Sequence, residues 1–349
     1  MRREITFPDR EGTRPRPTIR DVAALAGVGL ATASRVLRGE PVVSEELQTR
    51  VLRAAAQLDY LPDLTASSLR LKTRETYTIG MLLHNSANPF SSALHRAVGD
   101  VVQAHGYDVL AGSVDESADR ERRLAAKFAA RRVDGLVVVP ASHDHSYLAN
   151  ELRLGRALVF VDRPAERIDA DAILADNRHG SLEAVLRLIS LGHRRIAFMG
   201  DDVSIWTAQE RFQGYRDALE QAGLVFDEEL ARHDVARPDA AASVLGELLG
   251  HADPPTAVFA AQNLITIGAI RGLRLASLQH AVALIGFDDF PLSDLVEPAV
   301  TVVSQNPQRM GTLAGEILLQ RLAGDTSPTQ THVVETSFIE RGSGEIRPR

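Results

Sequence analysis

Near the amino terminus, apolar residues recur at the spacing of amphipathic helices, which predicts a small all-α unit. The first helix is expected over Ile19 to Ala26, with the hydroxyl of Thr18 capping its first turn. Gly27-Val28-Gly29 ends that helix, and a second helix follows at Leu30 to Leu37. A third helix begins at Ser44-Glu45-Glu46. A turn of about three or four residues between the first two helices is typical of a helix-turn-helix.

The second of these helices leaves small and polar side chains beside the turn. Ala33 and Val36 can face the core, so the remaining side chains are available for another surface. A helix that presents its first residues next to a tight turn fits the DNA major groove. Arg35 supplies a forked donor suited to a guanine edge or a phosphate. The candidate DNA contacts in this unit are Thr18, Leu30, Ala31, Thr32, Ser34 and Arg35.

From Thr78 onward the pattern changes to short apolar runs that alternate with amphipathic segments. The runs TIGMLLH, YDVLAGS, DGLVVVP and RALVFVDRP are apolar enough to be strands buried on both faces, and RRIAFMGD, TAVFAA and AVALIGFDD form a second series after Asp176. This alternation predicts parallel sheets covered by helices, in two doubly wound lobes. Ligands of such folds bind beyond the carboxyl ends of strands, so we expect a ligand cleft between the lobes.

Composition narrows the function classes. The chain has no cysteine, which excludes disulfides and thiolate metal sites. His143-Asp144-His145 is better explained as a solvated turn than as a metal site, and no set of residues has the pattern of a catalytic site. We therefore expect no catalytic residue, no metal and no cofactor. The tail 1–17 is charged and proline-rich, and no apolar run is long enough for a membrane span, so we expect a cytoplasmic protein without a membrane partner.

The charge is distributed unevenly along the chain. The net charge is −7, with +3 on residues 1–75 and −10 on the remainder. What positive field the chain has therefore lies at the predicted DNA-binding unit.

Motifs along nearly the whole chain, about residues 18–341, give a specific family resemblance. The head resembles that of the LacI/GalR family of bacterial transcription regulators through T-I-R-D-V-A-x-x-A-G-V, A-T-A-S-R-V-L, V-S-E-E and L-D-Y-L-P-D, in that order. The remainder is similar to the family's periplasmic-binding-protein-like sensor through N-P-F, R-V-D-G-L, V-D-R-P, D-N-x-x-G, L-G-H-R-R-I-A, E-R-F-Q-G-Y and I-G-F-D-D. Two departures stand out: Gly29 replaces the family's usual serine, and Gln262-Asn263 replaces its Asn-Asp pair.

The resemblance implies an N-terminal all-α helix-turn-helix head and an α/β periplasmic-binding-protein-like sensor of two doubly wound parallel-sheet lobes. The predicted divisions are a tail 1–17, a head 18–62, a hinge helix and linker 63–76, a sensor 77–341 and a tail 342–349. Within the sensor, the first lobe takes about 77–175 and 304–330, and the second takes about 176–303 and 331–341, including a strand HVVETSFIE.

The connector Leu64 to Arg70 corresponds to the family's hinge helix, which orders on DNA. By position, Leu69 is the side chain that enters the minor groove, and Ala66 lies against the dimer mate. The alternative is that this segment is simply a linker.

The resemblance also implies a sugar-like ligand site. Asp162, Arg211 and Asp288 match the family's polar contacts, although strand-end aspartates also cap turns and Asp289 is a close rival of Asp288. Phe90 and Trp206, the only tryptophan and expected in the loop before Arg211, are candidates for an aromatic wall, with core packing or a lid as alternatives. Asn263 completes the set of candidate effector contacts.

The expected function is a sequence-specific transcriptional regulator, and most simply a repressor. It would bind a palindromic double-stranded DNA operator as a homodimer, under the control of a small carbohydrate-like effector. The tail after Glu340 has no apolar heptads, so no tetramer built on a coiled coil is expected. The alternatives are a solute-binding protein, which has no use for a DNA-binding head, and a sugar-acting enzyme on the same α/β scaffold.

Overall fold

The computed structural model describes residues 17–37, 44–60 and 75–348, in two compact units that divide after Thr76. Each unit is considered separately. The predicted hinge helix, with Ala66 and Leu69, lies outside the described residues.

The first unit has the three predicted helices, α1 (Ile19–Ala26), α2 (Leu30–Leu37) and α3 (Glu45–Gln57). They pack around a small apolar core formed by Val22, Ala23, Ala26, Ala33, Val36, Val51, Ala54 and Ala55. Two leucines of these helices stay outside the core, since Leu25 of α1 is 52% exposed and Leu52 of α3 is 55% exposed. Alanine fills most of this core, so the helices lie close together and leave little room for those leucines.

Contacts at the ends of α1 fix the helix-turn-helix geometry. Thr18 is the N-cap residue of α1 and forms a capping box with Asp21. The Thr18 hydroxyl and the Thr18 amide each donate to Asp21 Oδ2 at 2.7 Å. At the other end, Gly27 adopts the left-handed conformation with φ 63°. Arg50 of α3 donates to the carbonyl oxygen of Ala26 at 2.6 Å, which ties the third helix to the turn.

The second unit is built from two six-stranded sheets. Its strands are β1 (Thr78–Leu83), β2 (Asp108–Ser113), β3 (Gly135–Val138), β4 (Ala157–Val161), β5 (Asp171–Ala175), β6 (Ile196–Met199), β7 (Ala231–Arg232), β8 (Ala257–Ala260), β9 (Ala283–Phe287), β10 (Thr301–Ser304), β11 (Thr331–Val334) and β12 (Ser337–Ile339). The first sheet has the order β11-β5-β4-β3-β1-β2 and the second the order β12-β10-β9-β8-β6-β7. All pairs are parallel except β10 with β12.

Helices cover both sheets and complete the two lobes. They are α4 (Pro89–Gln103), α5 (Ala118–Ala130), α6 (Ala149–Arg153), α7 (Asn177–Ser190), α8 (Trp206–Gln221), α9 (Pro238–Leu249), α10 (Asn263–Leu275) and α11 (Pro307–Leu322). Strands such as TIGMLL and ALIGF are buried nearly throughout, because helices pack on both of their faces. The predicted fold class, two doubly wound parallel lobes, is confirmed.

The chain passes between the lobes after Ala175, after Ser304 and after Val334. The last passage corrects the expectation of one strand over HVVETSFIE in the second lobe. Residues 331–334 pair with β5 in the first sheet, and residues 337–339 pair with β10 in the second. Both β11 and β12 are half-exposed strands at the edge of a sheet. Because edge strands of either sheet have the same kind of apolar pattern, the sequence does not show where the chain changes from one sheet to the other.

Candidate functional site

Strands of both sheets end at one cleft. His84 and Asp162 follow β1 and β4 of the first lobe, while Asp201 and Asp288 follow β6 and β9 of the second. A cavity of about 40 Å³ lies among these residues, with larger cavities of about 120 Å³ and 390 Å³ on either side. The central cavity shares Arg163 with one neighbouring cavity and Phe90, Asp288 and Gln305 with the other, so the three adjoin one another along the cleft.

The two lobes present their strand-end aspartates in the same way. Asp162 has φ 74° and Asp288 has φ 68°, and this left-handed backbone turns each carboxylate away from its strand. The Asp162 amide donates to Ile173 O at 2.9 Å, and the Asp288 amide donates to Val303 O at 2.8 Å, so each adjacent strand holds the turn in place. Both side chains are buried and line the cavity.

Arg211 of α8 is a buried cation with well-defined partners. Its Nε donates to Asn177 Oδ1 at 2.8 Å, and its Nη1 donates to Ala261 O at 2.8 Å and to Asp288 Oδ2 at 3.2 Å. The guanidinium carbon lies 3.9 Å from the centre of the Phe287 ring. These contacts compensate the burial of the charge and hold the side chain at the cavity wall.

Asp289, the rival of Asp288, is occupied elsewhere. Its carboxylate accepts from Arg341 Nη2 at 2.6 Å and from the Ser293 hydroxyl at 2.7 Å. These contacts favour Asp288 over Asp289 as the residue that faces a ligand in the central cavity. The Arg341 and Ser293 bonds also hold the pKa of Asp289 below its usual range.

A charged cluster in the first lobe escaped sequence reasoning. Arg163 donates through Nη1 to Glu116 Oε2 at 2.7 Å and to Pro140 O at 2.8 Å, and through Nη2 to the second oxygen of Glu116. His84 Nε2 lies 3.0 Å from Glu116 Oε1. Burial raises the pKa of Glu116, but the bonds from Arg163 and His84 outweigh it and lower that pKa to about 2. Burial lowers the pKa of His84, but Glu116 reverses this and raises it overall.

Two glutamines at strand ends also line the cavity. Gln262 Nε2 donates to Asp201 Oδ2 at 2.9 Å, and Gln305 Nε2 donates to Asp288 Oδ1 at 2.6 Å. The Oε1 atom of each glutamine is buried without a hydrogen-bond partner. Gln305 was missed by sequence reasoning, and Gln262 was noticed only as a departure from the family pattern. The signal that locates both is their position just beyond a strand, since Gln262 is the second residue after β8 and Gln305 is the first after β10.

The three remaining candidate effector contacts lie in three different places. Phe90 is half-buried and lines the central cavity. Trp206 is the first residue of α8 rather than a loop residue, and it lines the flanking cavity of about 120 Å³. Asn263 does not line either space, because it exchanges side-chain amide hydrogen bonds of 3.0 Å and 3.3 Å with Asn88 of the first lobe.

The candidate DNA contacts of the head lie on or near its surface. Thr18, Leu30, Ala31 and Arg35 are exposed, whereas Thr32 and Ser34 are half-buried. The carbonyl oxygen of Gly29 accepts from the amides of Thr32 and Ala33, which starts α2. A Cβ atom placed on Gly29 would meet nothing within 4 Å, so packing does not require glycine there.

No group of three or more histidine, aspartate or glutamate side chains within residues 17–37, 44–60 and 75–348 is arranged to hold a metal ion. In those same ranges, no helix has the length and apolar character that crossing a membrane requires.

Comparison with known proteins agrees with both units. Residues 18–63 match the model of bacterial regulatory proteins of the lacI family, and residues 185–344 match a periplasmic binding protein-like domain. The chain is 33% identical to the HTH-type transcriptional regulator CelR of Thermobifida fusca over 340 residues, 95% of this chain and 99% of the relative. It is 32% identical to the ribose operon repressor of Haemophilus influenzae over 93% of this chain and 98% of that repressor.

Solved structures give the same result. The transcriptional regulator CelR–cellobiose complex superposes with a TM-score of 0.70 at 32% identity, over 94% of this chain and 100% of that chain. The lac repressor dimer bound to operator and the anti-inducer ONPF superposes with a TM-score of 0.81 at 23% identity, over 95% of this chain and 99% of that chain, which supports the fold alone. The chain therefore belongs to the lacI family of bacterial regulatory proteins, a family of transcriptional regulators rather than enzymes.

Proposed function

We propose that this regulator is a repressor that binds a palindromic double-stranded DNA operator as a homodimer, and that a small carbohydrate-like effector in the cleft controls its operator affinity. The observation that carries the proposal is the convergence of Asp162, Arg211 and Asp288 on one buried cavity between two lobes, in a chain that begins with a helix-turn-helix head.

The chemistry of the cavity suits a polyhydroxyl ligand. Carboxylates and a guanidinium bond neighbouring hydroxyl groups, and an aromatic side chain covers the apolar face of a sugar ring. Phe90 offers such a face in the central cavity, and Trp206 offers another next to it. Relatives supply an analogy, since one solved relative is described as a complex with cellobiose and others are named ribose operon repressors.

Control of DNA binding requires that the effector binds one arrangement of the lobes more tightly than another. That difference in affinity is the free energy available to change the rest of the protein. In our proposal the change passes from the sensor, residues 77–341, through segment 63–76 to the head, residues 18–62. Leu69 then lies in the minor groove, and Ala66 lies against its dimer mate.

Each candidate contact of the head has a proposed role in operator recognition. Arg35 reads a base edge, while Leu30 and Ala31 make apolar contacts such as those to thymine methyl groups. Thr18, Thr32 and Ser34 contact the backbone. An operator target places the protein in the cytoplasm.

The test uses the full chain. Selection from random double-stranded DNA is expected to yield a palindromic site, and a thermal-shift screen against free sugars is expected to yield at least one stabilising ligand. A ligand at about 100 times its dissociation constant adds about 2.7 kcal/mol to the free energy of unfolding. Recovery of no specific DNA site contradicts the repressor role. Turnover of a bound sugar favours the enzyme alternative, and sugar binding without DNA binding favours a solute-binding protein.

A further inference from the structure

We propose that the cleft selects uncharged ligands that donate hydrogen bonds, and rejects phosphorylated or carboxylated ones. This inference rests on the proposed function and narrows the ligand class of the same site. Its basis is the orientation of Gln262 and Gln305, together with the prior engagement of both arginines by carboxylates.

Two carboxylates fix the orientation of the amide groups of two glutamines that line the cavity. An ionised carboxylate only accepts hydrogen bonds, so the amide nitrogen of Gln262 must face Asp201 and that of Gln305 must face Asp288. The two Oε1 atoms consequently point away from these partners. Gln262 is 9% exposed and Gln305 is 5% exposed, and neither Oε1 has a partner. A buried acceptor without a partner is costly, so each position favours a ligand that donates.

Asp162 adds a third acceptor to the same cavity. Arg163 Nε lies 3.7 Å from Asp162 Oδ2, and that Nε has no hydrogen-bond partner of its own. A ligand hydroxyl that approaches both atoms from one side can donate to Asp162 and accept from Arg163. A phosphate or carboxylate oxygen can do only the second, and it would lie against the negative charge of Asp162.

The cations of the cleft are already engaged. Both ends of the Arg163 guanidinium contact Glu116, and Arg211 contacts Asp288. Three carboxylates, Asp162, Asp201 and Asp288, line the cavity together with these two guanidinium groups and His84, and Glu116 lies behind them in contact with Arg163 and His84. An anion that enters therefore loses its hydration and finds carboxylates, whereas a neutral hydroxyl finds acceptors.

The experiment compares matched ligands on the full chain by thermal shift and calorimetry. The probes are ribose with ribose 5-phosphate, glucose with glucose 6-phosphate and gluconate, and cellobiose. We expect at least one neutral sugar to bind, and its anionic counterpart to bind at least about 10-fold more weakly. An anionic counterpart that binds equally well or better overturns this inference and leaves the proposed function in place. Binding of no probe of either kind contradicts both.

Variants that change the contact between Asp201 and Gln262 separate this mechanism from a general preference for sugars. Asp201→Asn removes one negative charge and lets the Gln262 amide turn, so affinity for the neutral sugar is expected to fall and the neutral-to-phosphate ratio to shrink at least about threefold. Gln262→Met removes the acceptor at similar length and is the second test if Asp201→Asn folds poorly. Asp234→Asn, in an exposed left-handed turn of the same lobe, is the control. Ratios that stay at the wild-type value in both test variants overturn the inference.

Discussion

The amide pair between Asn88 and Asn263 provides the sharpest test of how the lobes are held together. Asn263 Nδ2 donates to Asn88 Oδ1 at 3.0 Å, and Asn88 Nδ2 donates to Asn263 Oδ1 at 3.3 Å. Both side chains are buried, at 0% and 7% exposure for Asn263 and Asn88. An amide donates and accepts at once, whereas an ionised carboxylate only accepts, so the family's aspartate in place of Asn263 could not make both bonds. The pair should therefore favour the closed arrangement of this chain.

The expected size of the effect follows from the bonds themselves. Two neutral hydrogen bonds contribute about 2 kcal/mol in total, which corresponds to about a 30-fold change in the closed-to-open ratio. Asn263→Ala is therefore expected to lower that ratio about 30-fold. Asn88→Ala also removes the cap on the Phe90 amide, a bond of 3.0 Å, and should cost about 1 kcal/mol more in stability. Asn88→Asp keeps the cap and the bond accepted from Asn263.

The absence of cysteine makes the assay direct, because two introduced cysteines take spin labels without competing sites. Gln103→Cys and Glu220→Cys place one label on an exposed position of each lobe. Pulsed distance measurements should show a broader or longer distribution in Asn263→Ala than in the parent. A double-mutant cycle with Asn88→Ala should give a coupling energy of about 1 to 2 kcal/mol. Unchanged distances together with additive effects would refute the reasoning.

Three further predictions concern single residues. Arg211→Ala leaves the carboxylate of Asp288 buried without its cation, so it should lower the free energy of unfolding in urea by about 3–5 kcal/mol and abolish the effector response. Arg216→Ala, on the exposed side of the same helix, should lower the free energy of unfolding far less. Similar losses for both variants would contradict the buried ion pair. The raised pKa of His84 stabilises the fold fully below its unfolded value of 6.5, and that contribution is lost as the pH rises through the folded pKa. The wild type should therefore lose stability relative to His84→Gln as the pH rises above 6.5, and parallel curves would exclude the contact with Glu116. Arg35→Ala should reduce operator affinity by about 10- to 150-fold in fluorescence anisotropy and change non-specific DNA binding much less, and an equal loss on both DNAs would make Arg35 a phosphate contact.

Local patterns explain why much of the fold was predictable. Helical spacing and the glycine turn located α1 and α2 to the residue, because a short helix needs only its own stripe and its end signals. The family resemblance named Asp162 and Asp288, and the strand-end rule explains why both line the cleft, since the carboxyl ends of parallel strands share one edge of a sheet.

Features that depend on distant parts of the chain were out of reach. Glu116 and Arg163 lie 47 residues apart, and Asn88 and Asn263 lie 175 apart, so no periodicity connects them. The start of α8 was misjudged because Ile205 precedes it without a side-chain cap, which left Trp206 looking like a loop residue. Gln305 was missed because its importance comes from a contact with Asp288 across adjacent strands.

The central claim is that a small molecule in the cleft controls DNA binding by the head. The most direct measurement is operator affinity of the full chain, by fluorescence anisotropy, as the sugar found in the thermal-shift screen is added. The account predicts a saturable change in affinity of at least about fivefold, with a midpoint near the sugar's own dissociation constant, and no change in Arg211→Ala. An operator affinity that stays constant while calorimetry shows the sugar bound would contradict it.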